Sequence, residues 1–336
     1  MPVDVSKVAY RLIAILPIGG TLVLSGPDAE HDIILDGTLE EQPGEMAARL
    51  QLHLKNVKRA DGWIHQHVAI GRRLVLQATD GSGWREVWRG QVYRHATTME
   101  SDHTIDVIAY DTLYPLMQSK IHRYFRSGET AASCIKSLAQ QWQIPVGQIA
   151  GPSVKLPAKL YRGDAIGRII ADRLEQSRKL GGGRWVVRDV QGKLNVVKEG
   201  SNSTVYDINA DVAENSRDEY SIEDLVTRVL VYGKEKKEGH PPLVAKKDGQ
   251  TQYGILQEIV YGTGDGVADA LKEADEILAE RGKPKITATV DAPDVPWIRK
   301  GDRVKVNVGT VNAECIVEGV MHHIGNLKMT LELRRR

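Results

Sequence analysis

Two adjacent histidines, His322 and His323 in the stretch MHHIGNLKMTLEL, are the residues most suggestive of metal or proton-transfer chemistry. Imidazoles bind zinc or relay protons when several converge on one point. Neighbours on a strand cannot converge, because successive side chains point to opposite faces. Met329, Leu331 and Leu333 alternate here with Lys328, Thr330 and Glu332, so the stretch reads as a hairpin. One histidine then lies on the core side and the other in solvent, and no HxH or HxxxH partner is nearby.

The remaining chemical candidates are weaker. YGTGDG (261–266) follows a strand and precedes a helix, the context of a phosphate-binding turn. It lacks the third fingerprint glycine, and Asp265 would oppose a phosphate, so Asp265 reads as a helix N-cap. Asp218-Glu219 and Glu223-Asp224 are adjacent carboxylates, whereas glycoside hydrolysis needs two acids held apart across a cleft. GxxxxGK[ST], HExxH, CxxC and GxSxG are absent. Trp84, Trp88 and Trp185 could stack sugars or bases, but Trp84 and Trp88 sit near a turn and read as core caps. No catalytic, cofactor-binding or metal-ligating residue is assigned, and no cofactor is expected.

The elements that carry these residues are mostly strands. ARLQLHLKN alternates Leu50, Leu52 and Leu54 with polar residues; RRLVLQATDGSGWREVWRGQVYRH is a strand, a Gly-rich turn and a strand; HTIDVIAY follows. Two helices come next: Ala131, Ile135, Leu138 and Trp142 share one face, with Ser127 as cap and Pro145 as stop; Ile166, Ile170 and Leu174 share another, with Asp164 as N-cap and a glycine run as terminator. A hairpin turning at Gln191-Gly192 completes an α+β insert. Strands return at LVTRVLVYG and QYGILQEIVYG, flanking a charged loop (234–250, with Lys234, Lys236, Lys237, Lys246 and Lys247) that reads as mobile. A third helix, 266–281, carries Val267, Leu271, Ala274 and Leu278 inward, and a β-meander ends the chain.

Lys plus Arg number 45 against 44 Asp plus Glu, a net charge of +1, which argues against stable nucleic-acid binding. No run approaches the roughly 20 apolar residues of a membrane span, so no membrane insertion is expected. Cys134 and Cys315 sit in apolar-periodic stretches and read as reduced, buried thiols of a chain made in the cytoplasm.

There is an internal echo. GRRLVLQATDGSGWREVWRGQVYRH (71–95) and GDRVKVNVGTVNAECIVEGVMHH (301–323) each open on glycine, run through an alternating strand and a polar turn, and return to a glycine and a histidine. With Gly71 matched to Gly301 and Gly90 to Gly319, the framing intervals differ by one residue. The echo predicts a duplicated small β-barrel or sandwich, one copy at each end, with the α+β insert between them.

From IAYDTLYPLMQSKIHRYFRSGETAASCIKSLAQQWQIPVGQI onward the sequence resembles the baseplate hub proteins of contractile phage tails, of the PBSX-prophage type (the XkdQ/YqbQ group), themselves similar to T4-type hubs. GGGRWVVRDVQGKLNVVKEG, SIEDLVTRVLVYG, QYGILQEIVYG, KGDRVKVNV and MHHIGNLKMTLEL match in order and spacing, covering about residues 100–336 well. The resemblance implies a mostly β, α+β fold: a first tube-like β-barrel (1–111), a middle α+β domain of two helices and a hairpin (112–215), and a second tube-like β-barrel (216–336) with helix 266–281 packed across it. It implies a non-enzymatic structural protein of the virion tail baseplate, assembled in the host cytoplasm. Three copies would form a pseudo-sixfold adaptor between the hexameric tail tube and the trimeric central spike, with the tape measure protein and a LysM-type tail protein as further partners. Near-zero net charge is compatible with a channel that passes protein and DNA. The competing readings are a tail-associated cell-wall-degrading enzyme, which requires converging acids or an activated nucleophile, and a carbohydrate- or nucleic-acid-binding module, which requires an aromatic stripe or basic face.

Overall fold

The computed structural model describes residues 5–17, 19–98, 103–209, 213–234, 239–262, 267–309 and 311–336. The alternating N-terminal sequences form strands β1 (Ala9–Ile15), β2 (Thr21–Ser25), β3 (Ile34–Glu41) and β4 (Arg49–Lys55). A minimal hairpin, β5 (Lys58–Arg59) with β6 (Gly62–Trp63), and the single turn α1 (Ile64–His67) lead into the meander β7 (Arg73–Thr79), β8 (Arg85–Thr98) and β9 (Thr104–Tyr110). Leu50, Leu52 and Leu54 pack with Leu74, Leu76, Ile105 and Val107 in the first core, which also takes in Trp88.

The middle segment runs α2 (Tyr114–Gln118), β10 (Lys120–Phe125), α3 (Ala131–Gln141), β11 (Val146–Ile149), β12 (Lys159–Ala165), α4 (Ile166–Ser177), β13 (Trp185–Val190) and β14 (Lys193–Lys198). Ile135, Leu138, Ile166 and Ile170 meet Val187, Leu194 and Val196 in a second core. The caps differ from those read in the sequence. Thr130, not Ser127, caps α3: its hydroxyl accepts from Ser133 N at 3.1 Å while Ser133 Oγ accepts from Thr130 N. Ala165 stands at the N-cap of α4, and Asp164 instead accepts from Arg162 N at 3.1 Å, closing a turn before the helix. The β13–β14 hairpin does turn at Gln191-Gly192, both at positive φ (53° and 76°).

The chain continues with β15 (Tyr206–Asn209), β16 (Asn215–Ser221), β17 (Arg228–Tyr232), β18 (Leu243–Asp248), β19 (Gln257–Tyr261), α5 (Val267–Arg281), β20 (Lys285–Pro293), β21 (Arg303–Val308), β22 (Val311–His323) and β23 (Lys328–Arg335). It divides into two compact units: residues 1–178, 182–217 and 288–336, and residues 179–181 and 218–287.

Two expectations about the smaller unit are corrected. The stretch 234–250 is not simply a loop, because it contains β18, paired antiparallel to β17 from Arg228↔Asp248 to Tyr232↔Leu243. Lys247 donates to Leu271 O at 3.0 Å and pairs with Asp275 at 2.5 Å, so it is fastened to α5. Lys236, Lys237 and Asp265 lie outside the described residues. Helix α5 buries Ala270, Ala274 and Ile277 against Val226, Val229, Val231 and Val260 of its own three-stranded sheet. It therefore has a separate core rather than covering the C-terminal strands, whose core gathers Val290, Val304, Val306, Val317, Leu331 and Leu333. A helix in the chain between two strands of one sheet need not pack on that sheet if its flanking strands supply an apolar face first.

The strands of the main sheet follow one path, β16-β20-β23-β22-β3-β4-β9-β8-β7-β1-β2, with β21 beside β22 and β15 parallel to β21. Among the described strands this path does not close into a barrel in either half. The fold is mostly β, and the echo in the sequence is real in the backbone. Gly71 N donates to Val92 O, Val92 N to Arg72 O and Arg72 N to Ala69 O at 2.9, 2.9 and 3.0 Å. Gly301 N donates to Val317 O, Val317 N to Asp302 O and Asp302 N to Arg299 O at 2.7, 2.9 and 3.0 Å. A bulge follows in each long strand, at Val92/Arg94 and at Val317/Gly319. Asn56 N bonds His103 O as Asp294 N bonds Leu327 O, and both acceptors are non-glycine residues at positive φ (41° and 55°).

Hence β3-β4-β9-β8-β7 and β16-β20-β23-β22-β21 are the same five-strand module twice. The register corrects one detail: Val92 matches Val317, so Gly90 and Gly319 are not equivalent, and Gly319 answers to Arg94. The chain between β16 and β20 belongs to the smaller unit, which begins within β16 and ends within β20; the first copy has only the loop 42–48 between β3 and β4.

Candidate functional site: buried charges where the modules join

The two modules are sewn together by a strand pair. β22 runs antiparallel to β3 through Val320↔Glu41, Met321↔Glu40, His322↔Leu39 and His323↔Thr38, and Ile324 N donates to Gly37 O at 2.8 Å. The histidines therefore sit on this seam. His322 is 1% exposed; its Nδ1 lies 2.6 Å from Asp294 Oδ1 and its Nε2 3.1 Å from Ile298 O. A carboxylate and a carbonyl facing the two ring nitrogens favour the doubly protonated, charged imidazole. Burial opposes that charge, but Asp294 overcomes it and raises the histidine above its usual value. Tyr10 on β1 donates a short hydrogen bond to the other Asp294 oxygen, and burial with that carboxylate raises the phenol well above its usual value. His323 is half-buried and faces Thr330 Oγ1 at 3.4 Å. The pair is split across the strand as its alternation requires. Among the described residues no group of three or more His, Cys, Asp or Glu side chains is arranged to hold a metal ion.

A second knot ties the seam to the middle segment. Glu41 ends β3, Asp111 follows β9, Arg188 and Asp189 end β13, and Arg299, Lys300 and Asp302 form the turn before β21. Arg299 Nε donates a short bond to Glu41, its backbone N bonds Asp302 Oδ2 at 2.9 Å, and its guanidinium reaches Asp189 O. Arg188 Nη2 meets the other Asp302 oxygen at 2.8 Å. Lys300 Nζ donates to the carbonyls of Gln42 and Glu45. Burial works against ionisation of Glu41, yet Arg299, Lys300 and Arg188 together hold its carboxyl below the usual range. For Lys300 burial prevails and its ammonium is lowered.

Asp111 and Asp189 are the acids that most resemble catalytic groups. Burial, reinforced by the Asp189 charge, pushes Asp111 up to about 8, and burial likewise raises Asp189. Such values invite a search for chemistry. Their oxygens, however, are occupied: Asp111 accepts from Ala48 N and Leu113 N at 2.8 and 2.9 Å, and Asp189 from Gly192 N at 2.7 Å and from Thr112. The adjoining cavity holds about 80 Å³, room for roughly two or three waters at about 30 Å³ each. A larger cavity of about 580 Å³ lies between α4, β13, β22 and the loop at Pro43–Met46. Two of its side-chain carboxylates, Glu199 and Glu318, are both bound by Arg334 at 2.6 Å. These groups fasten elements together.

Of the tryptophans, Trp88 is 4% exposed and donates to Ala48 O, Trp84 lies under the Arg11 guanidinium at 4.5 Å, and Trp185 donates to Gly182 O at 2.8 Å. The adjacent carboxylates Asp218-Glu219 lie on β16, Glu223 and Asp224 follow it, and all four fall in the smaller unit. Cys134 and Cys315 are both buried, in different cores.

This fold is shared with phage tail proteins of known structure. The 43 kDa tail protein of prophage MuSo2 from Shewanella oneidensis matches at 13% identity over 98% of both chains, with a TM-score of 0.70. An Escherichia coli component of the type VI secretion system, described as structurally similar to the T4 tail proteins gp27 and gp5, matches at 10% identity and TM-score 0.56, covering 92% of this chain and 76% of its own.

The sequence narrows this further: residues 40–334 match the YQBQ-like family, and the chain belongs to that family. The phage-like element PBSX protein XkdQ of Bacillus subtilis is 25% identical over 238 residues, 67% of this chain and 69% of that protein. The resemblance to the XkdQ/YqbQ group read from the sequence is thus borne out.

Proposed function

We propose that this chain is the hub of a contractile-type tail baseplate, a structural rather than enzymatic component. Three copies set six five-strand modules in a pseudo-sixfold ring between a hexameric tube and a trimeric spike. The observation that carries the reading is the duplicated module: one polypeptide presents two equivalent β surfaces, joined by their own strand pairing. A sixfold tube and a threefold spike cannot share identical contacts, and two like modules per chain resolve the mismatch.

In this reading the modules are the tube-like domains, closed by their neighbours, with divisions near residues 111 and 215. The tape measure and a LysM-type tail protein are the remaining partners. The buried charges fix the angle between modules, because a ring closes only if each junction is stiff. Sedimentation of the chain with its tube and spike proteins tests this: three-chain complexes are expected, and a chain that remains monomeric with every tail partner overturns it.

A further inference from the structure

The seam inside the chain has two unused halves. In the second module the end of β22 pairs with β3; in the first module the matching end of β8, His95–Thr98, has β9 on one side and no strand on the other among the described residues. In the first module β3 lies between β4 and β22; in the second its counterpart β16 has β20 on one side and, among the described strands, ends the sheet path. Each chain therefore carries one edge of the β22 kind and one edge of the β3 kind.

We propose that these two edges pair between chains: β8 of one copy adds antiparallel to β16 of the next, repeating the internal seam. This rests on the ring reading and specifies the contact that builds it.

The register follows from the bonds already described. Val92 matches Val317, so His95, Ala96, Thr97 and Thr98 match Val320, Met321, His322 and His323. Asn56 matches Asp294, so His53 matches Asp291. Glu214 N donates to Asp291 O at 2.9 Å, as expected of the pair Asp36↔His53, so Glu214 matches Asp36. Thr38, Leu39, Glu40 and Glu41 then match Ser216, Arg217, Asp218 and Glu219. Across the new seam Thr98 faces Ser216, Thr97 faces Arg217, Ala96 faces Asp218 and His95 faces Glu219.

Chemistry separates the two seams in the expected direction. Inside the chain the facing residues include buried Leu39, Val320 and His322, suited to a joint made once during folding. At the open edges every facing residue but Ala96 is polar or charged, and Ala96, Thr97, Thr98 and Arg217 are exposed, as an edge must be if chains are to stay soluble before assembly. The contact is head-to-tail, so it propagates until it closes.

Cysteine trapping on the full chain tests this, since a directly opposed pair falls within disulfide reach. Thr97→Cys and Arg217→Cys chains, one carrying a size tag, are mixed under mild oxidation at high concentration. A two-chain product of unequal chains, absent from either variant alone, is expected; Thr98→Cys with Ser216→Cys should behave alike. The double variant T97C/R217C should stop at three linked chains. If wild type sediments as a trimer yet neither pair links, the seam is wrong and the ring stands. A ladder running past three keeps the seam and refutes the three-chain ring. Monomers with no linkage even when the tube and spike proteins are added refute both.

Discussion

Replacing Arg299 by Met tests whether the central knot holds the modules together. Its guanidinium is 16% exposed and its partner Glu41 6%, so the pair is desolvated. Removing one partner leaves Glu41 buried without its bonded counter-charge, which typically costs about 3–5 kcal/mol. Lys300 relieves this only partly, because its ammonium bonds the Gln42 and Glu45 carbonyls rather than the carboxylate. At about 2 °C per kcal/mol for a unit of this size, the midpoint should fall by roughly 6–10 °C.

Replacing both partners, E41M/R299M, removes the stranded charge and should come within about 1 kcal/mol of wild type. Differential scanning calorimetry with a guanidinium titration measures both variants. The pH dependence adds an independent check. Glu41 ionises more readily folded than unfolded, so its contribution is present above the unfolded carboxyl value and fades as pH falls through the folded one. The gap between R299M and wild type should therefore narrow below about pH 4. A loss under about 1 kcal/mol for R299M, or a double variant no better than the single, would refute the reasoning.

Further outcomes follow from other groups. Asp111 holds its proton to about pH 8 in the folded chain and far less when unfolded, so its stabilisation is full at acid pH and lost as pH rises from about 4 to 8; denaturation midpoints across that span should fall. His322 is likewise raised: its contribution is present below about pH 6.5 and lost as pH rises through its folded value. His322→Leu should remove that second dependence and cost about 3–5 kcal/mol by stranding Asp294. Gly71→Ala, at φ +81° with only Gln91 Nε2 at 3.8 Å from the added Cβ, should cost about 1–2 kcal/mol, while Gly301→Ala should cost clearly more in the same unfolding assay, because its Cβ would also lie 2.7 Å from Val186 Cγ2. Thr130→Ala should lower stability by about 0.5–2 kcal/mol through loss of the α3 cap, read by circular dichroism.

Much of this was legible in the sequence where periodicity speaks. The alternation at Leu50–Leu54 and Met329–Leu333 gives the strands and their buried faces, and the spacing at Ala131–Leu138 gives the helix face. The duplication was legible as an echo, though glycine spacing misaligned it by the width of a bulge. What decides the register is a set of backbone bonds at Gly71 and Gly301, and these leave no side-chain signature.

The inserted unit was misjudged because β18 is short and lysine-rich, with its apolar partners elsewhere in the chain. The buried knot was invisible for a different reason. Glu41, Asp111, Asp189 and Arg299 are each an ordinary charged residue at a strand end or turn, and only their convergence from separated segments makes them unusual.

The residues at 42–48 and those at 222–284 occupy the same address in two copies of one motif. The first copy spends a short bend there; the second carries an entire appendage with its own apolar interior. Any circle of these polypeptides is consequently plain and ornamented by turns, so a partner that grips the ornaments counts chains, whereas one that reads only the strands counts twice as many places.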